Sequence, residues 1–138
     1  MKKYIAFFCL FFIFGCTTTD VKVYKPIDFN NKVVATSNSL GDFAQELKDV
    51  LRNEGYEVLI GSDFKDSAYK QKKARYELQF KSWKEDVCIF PPSPLISYGV
   101  LFVDLKEGDE VFSMKGYDCQ KKVIDKFKEI ISGQYIQE

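Results

Sequence analysis

The chain has 138 residues, 46% of them hydrophobic, with 20 lysines and arginines against 20 aspartates and glutamates. It contains no histidine, which excludes Ser-His and Cys-His nucleophilic machinery, imidazole metal sites and the commonest general base. A balanced charge also argues against nucleic-acid binding, whose electrostatic footprint is a basic surface.

Met1-Lys2-Lys3 precedes eleven mostly apolar residues, Tyr4 to Phe14, and then Gly15-Cys16. Two lysines, a short apolar core and a small residue make the pattern of a secretory signal. Eleven residues are too few to cross a ~30 Å hydrocarbon layer as a helix, which needs roughly 20. No small-x-small cleavage site precedes Cys16. The end of the stretch, Ile13-Phe14-Gly15-Cys16, resembles the bacterial lipobox. Ile13 stands where leucine is commonest and Phe14 is bulkier than the usual alanine or serine, while Gly15 and Cys16 fit. The resemblance implies cleavage before Cys16, diacylation of that cysteine with palmitate-type chains as the new N-terminus, and a place in the cell envelope. Thr17, rather than aspartate, follows the cysteine. In a double-membraned cell this implies the outer membrane, facing the periplasm, rather than the inner membrane. Removing residues 1–15 from the 138 leaves 123, with 18 basic against 20 acidic side chains, and that is enough for a single cored domain.

Residues 16–31 are polar, carry Pro26 and lack periodicity, so a lipidated flexible tether is expected, followed by one domain over 32–134 and a tail at 135–138. Lys32 to Thr36 reads as a short β-branched strand. Ser39 is expected to cap a helix, with Asp42 in a capping-box-like position. Leu40, Phe43, Ala44, Leu47, Val50 and Leu51 form its apolar stripe, and Gly55 ends it. Tyr56 to Ile60 reads as a strand parallel to the first. Gly61 to Lys73 is polar, a loop or short helix. Lys70, Lys72, Lys73 and Arg75 form a basic cluster, suited to anionic headgroups or an acidic partner if it is more than a solvated loop.

Ala74 to Trp83 alternates, with Tyr76, Leu78 and Phe80 on one side and charged or amide side chains on the other, the signature of a half-buried antiparallel strand. Tyr98–Leu105 and Glu110–Lys115 read as two more strands joined by a turn at Gly108. Asp118 is expected to cap a last helix, with Val123, Ile124, Phe127, Ile130 and Ile131 as its stripe and Gly133 as its stop. The sum is an α+β domain in two layers. Two amphipathic helices cover one face of a mixed, mainly antiparallel sheet of about five strands, in the order β-α-β-β-β-β-α.

Cys9 lies in the signal and Cys16 is the lipid site, leaving Cys88 and Cys119 as an even pair in an oxidising compartment. Cys119, in the first turn of the last helix, can meet a cysteine leaving a strand end at Cys88, and a disulfide is the expectation. Two buried free thiols or a zinc site lacking its other ligands are the alternatives. No metal or cofactor is expected.

Val87 to Ser97 reads as a long, proline-broken apolar connection of the kind that is often functional. Phe90, Pro91, Pro92, Pro94 and Ile96, with Trp83 beside them, are the candidate contact residues for a partner. The competing reading folds Ile89, Phe90, Leu95 and Ile96 into the core. Glu85-Asp86 and Glu107/Asp109 are the candidate acid–base carboxylates, but strand ends and hairpin tips leave such groups ordinary. The expected function is therefore a membrane-anchored, periplasm-facing, non-enzymatic module that binds, helps assemble or regulates an envelope protein. The alternatives are an immunity or exclusion lipoprotein neutralising a toxin, or a small cell-envelope hydrolase.

Overall fold

A computed structural model describes residues 17–61 and 73–137. Its elements in chain order are β1 (Thr18–Val23), β2 (Val33–Ser37), α1 (Asp42–Asn53), β3 (Glu57–Gly61), β4 (Tyr76–Cys88), β5 (Ser93–Asp104), β6 (Asp109–Cys119) and α2 (Gln120–Ile131). The six strands form one sheet in the order β1-β6-β5-β4-β2-β3. β2 is parallel to β3 and β4, and the other pairs are antiparallel. The two-layer α+β class is as expected, with one strand more.

The extra strand is β1. Residues 16–31 were expected to be a tether, yet Thr18–Val23 pairs along its whole length with Phe112–Tyr117 of β6. Val21, Val23 and Ile27 pack against the core, and the backbone amide of Asp28 donates to Tyr76 Oη at 2.8 Å. Two valines between charged residues are too short a period to read as a strand in isolation. The free edge of β6 supplies the pairing that the local sequence does not announce.

The core runs across strands as an aromatic ladder. Tyr76 of β4 stacks on Phe102 of β5 at 4.9 Å, Phe102 on Phe112 of β6 at 5.2 Å, and Phe112 meets Phe127 of α2 at 6.1 Å. Leu47 and Leu51 of α1 and Val123 and Ile131 of α2 are buried with them, and Ile124 is half-buried at the margin. The helices stop before Gly55 and Gly133 as expected.

Both helix starts differ from expectation. Ser39 does not cap α1: its hydroxyl lies 2.9 Å from Ser37 Oγ and its carbonyl accepts from Lys48 Nζ at 3.0 Å. The N-cap is Gly41, at φ 126°, a conformation that costs glycine little. The turn it makes throws Leu40 outward to 93% exposure, away from the buried stripe. Asp118 likewise is not the cap of α2, because β6 runs directly into the helix with Cys119 at the N-cap. Asp118 Oδ1 instead accepts from the Cys119 amide at 2.8 Å. The tail is not wholly free either, since Tyr135 is packed against the core.

The expected long loop at Val87–Ser97 is mostly strand. β4 continues to Cys88 and β5 begins at Ser93, with one irregularity between Lys84 and Asp86, so only Ile89–Pro92 turn the hairpin. Pro94 is tolerated because β6 has ended there. The last β5–β6 pair is Leu95↔Cys119, so Pro94 needs partners only on the β4 side.

Candidate functional site

The parallel step from β2 to α1 and the run of β6 into α2 bring both helix starts to one end of the sheet. The β4–β5 hairpin and the first residue of β1 lie at the same end. There the Cys88–Cys119 disulfide is formed. It ties the end of β4 to the β6–α2 junction across the intervening strand β5.

Beside the bridge lies a groove of about 410 Å³, walled by Leu40, Asp42 and Phe43 at the start of α1, by Trp83 and Pro94 of the hairpin, and by Gln120 of α2. Phe80 and Ile96 also line it. Ile96 is only 2% exposed and belongs to the core, so its expected role as an exposed contact is corrected. Trp83 is 56% exposed, with Lys81 Nζ 5.6 Å from its ring centre. Gln120 is buried and donates from Nε2 to Glu46 Oε1 at 3.1 Å, which links the two helices at the groove floor. Leu40 and Trp83 are thus two large exposed apolar residues among those lining one concavity.

The hairpin tip is a separate feature. Ile89 and Phe90 are 85% and 89% exposed, and Val87 is exposed beside them. Pro91 follows Phe90 through a cis peptide bond, and Pro92 is exposed. Of the expected contact residues, the structure therefore sends Trp83 and Pro94 to the groove, Phe90, Pro91 and Pro92 to the tip, and Ile96 to the core.

The carboxylates considered for catalysis do not converge on open space. Glu107 and Asp109 join the buried Asp104 in a trio whose oxygens lie within 4.8 Å of one another, and Lys25 from the segment after β1 places its ammonium among them. Lys25 Nζ is 2.9 Å from Asp104 Oδ2 and 3.0 Å from Glu107 Oε2, and it also contacts Asp109. Arg75 Nη2 donates to Asp104 Oδ2 at 2.7 Å. Burial pushes the Asp104 carboxyl up, but hydrogen bonds from Arg75 and Lys25, and from the amides of Glu107 and Lys106, outweigh it and hold the group well below the usual carboxylate range. The trio is filled by a protein cation and clamps β1's continuation to the β5–β6 turn. Arg75 therefore leaves the expected basic surface cluster. Lys73 pairs with Glu57 at 3.0 Å, while Lys70 and Lys72, like Cys16, lie outside the described residues. Glu85 accepts from Ser97 Oγ at 3.1 Å, and Asp86 Oδ1 accepts from the Val87 amide at 2.8 Å.

The sequence signal missed for the groove was Leu40. Its place in a helical stripe concealed that Gly41 turns it outward.

No protein-family model matches the chain, and no curated protein sequence matches it. Among solved structures it is similar to a PelC dodecamer from Paraburkholderia phytofirmans, in a single-substitution variant. That match has a TM-score of 0.57 and 15% identity, covering 88% of this chain and 100% of that one. A second PelC dodecamer structure from the same organism matches with a TM-score of 0.52 and 16% identity, covering 86% of this chain and 94% of that one. At identities this low the TM-scores show a shared fold alone.

Proposed function

We propose that this chain is a lipid-anchored, periplasm-facing envelope protein that works by association rather than catalysis, and that its groove receives a second copy of the same chain. The observation that carries the reading is the pair Leu40 and Trp83, two large exposed apolar residues that line one groove at the β4 edge. Concave sites with exposed aromatic anchors suit protein partners, and tryptophan is the residue most enriched among interface hot spots. The solved neighbours of the same fold are dodecamers, which favours a second copy as occupant. The lipobox-like signal supplies the anchor, and the disulfide between Cys88 and Cys119 suits an oxidising compartment. Neutralisation of the acidic trio by Lys25 and Arg75 leaves it poorly suited to acid–base work.

The test is light scattering on the mature chain after size exclusion, for the native sequence and for Leu40→Glu and Trp83→Ala. Both positions are solvent-facing, so folding should survive. Loss of a hot-spot tryptophan costs about 2 kcal/mol or more, roughly thirtyfold in affinity. The native chain should assemble and both variants should shift toward monomer. A native chain that stays monomeric at high concentration, or variants that assemble unchanged, would refute self-association through this groove.

A further inference from the structure

The register fixes where the anchored end of the chain stands relative to the hairpin tip. Thr18 pairs with Tyr117, Tyr117 with Ser97, and Ser97 with Trp83, so these four residues lie on one line across β1, β6, β5 and β4. β1 begins on this line, and β4 and β5 project past it in the direction from which the chain enters. Cys16 precedes Thr18 by two residues, a reach of at most ~7 Å. From Ser97 to Ser93 the hairpin advances four residues, ~13 Å along the strand, before the turn adds its own height. Three strand spacings, ~14 Å, separate the two sideways. The tip thus extends roughly 10 Å further toward the anchored side than Cys16 can.

What stands there is apolar. Val87, Ile89 and Phe90 are exposed, and Pro92 continues the surface. Glu85 and Asp86 follow immediately below and are exposed. We propose that the β4–β5 tip enters the interface of the bilayer that holds the lipid anchor, with Phe90 and Ile89 among the upper acyl chains and Glu85 and Asp86 marking the limit of entry. The depth matches the ~5–10 Å to which apolar faces of interfacial elements are buried. The disulfide holds the tip rigid against α2, so lipid anchor and tip act as two contacts that set the orientation of the domain. The proposal rests on the acylation of Cys16 proposed above.

The experiment moves the single indole of the chain. Trp83→Phe combined with Phe90→Trp places it at the tip, and Trp83→Phe with Tyr24→Trp places it beyond the far end of β1 as a control. Each chain is purified as the mature lipoprotein and reconstituted into phosphatidylethanolamine–phosphatidylglycerol vesicles with acyl chains brominated near the headgroup. A parallel sample is unacylated chain coupled through its one free thiol, Cys16, to a maleimide phospholipid. The tip indole should lose most of its emission in both samples, and the control indole should keep its own. Unquenched tip emission in chains that float with the vesicles would overturn the proposal. So would a tip indole shielded in vesicle-free oligomers, which would assign the tip to a second copy. Mass spectrometry of the native chain reads acylation separately: an unmodified Cys16 overturns the lipoprotein reading, and the tip's membrane role with it, whatever the coupled sample does.

Discussion

Gly116 is where the pairing of β1 is most exposed to a single atom. A Cβ at this position would lie 1.9 Å from the Thr18 carbonyl oxygen, 2.9 Å from its carbonyl carbon and 3.1 Å from Thr19 Cα, with φ at +155°. All three neighbours are backbone, so no side-chain rotation relieves the contact, and the Thr18 carbonyl must retreat by about 1.3 Å to reach a normal separation. Hydrogen bonds near 2.9 Å then stretch beyond the useful range, and the strand unzips from its first residue. Val21 and Val23 are half-buried against the core, contributing about 1 kcal/mol each. Part of that loss is offset by the backbone entropy the freed residues regain. Gly116→Ala should therefore destabilise by about 1–2 kcal/mol, lowering the melting temperature by roughly 3–8 °C. The sharper readout is amide exchange: protection over Thr18–Val23 should be lost while the centres of β4 and β5 remain protected. Gly108→Ala is the control, because Gly108 also has positive φ, +75°, but nothing lies within 4 Å of its added Cβ. It should cost about 1 kcal/mol of conformational strain and leave β1 protected. Unchanged protection of β1 in Gly116→Ala would refute the close approach.

Two further perturbations test the rest of the frame. Replacing Cys88 and Cys119 together with serine opens a loop whose ends are 31 residues apart in sequence, and should cost about 3–4 kcal/mol on the chain-entropy argument. With a urea slope of about 2 kcal/mol/M the midpoint should fall by roughly 2 M, and an unchanged midpoint would contradict the staple. Asp104 tests the ion cluster: its carboxyl is held below its ordinary value of 3.8 in the fold. The stability it contributes is thus complete above the unfolded value and drains away as the pH falls below about 4. Asp104→Asn should be less stable at neutral pH and should flatten the decline between pH 4 and pH 2 measured by urea unfolding. A decline equal to that of the native chain would show that Asp104 does not carry it.

What the sequence disclosed was what repeats locally. The stripes of α1, apart from Leu40, and of α2, the alternation from Tyr76 to Phe80 and the turn around Gly108 are all local signals, and all four stand in the structure. The disulfide followed from placing Cys119 at a helix start and Cys88 near a strand end. The features that escaped are held by partners far along the chain. β1 exists because β6 offers a free edge whose Gly116 admits its backbone, and the sequence separation between Thr18 and Tyr117 hides that. Lys25 and Arg75 meet Asp104 from 79 and 29 residues away, so three charges that look like solvated surface become a clamp. The prolines after Phe90 argued for an irregular loop, yet Pro94 sits inside a strand because β6 ends before reaching it. The groove draws on α1, α2 and the hairpin at once. Its residues could be nominated singly, as Trp83, Pro94 and Ile96 were, but not assembled.

Intact-mass analysis of the protein extracted from envelopes bears most directly on all of this. A chain that begins at Cys16 and carries the added mass of acyl chains on that residue is the predicted result. An intact Met1 leader, or a bare residue 16, would contradict the envelope address and the anchored geometry together.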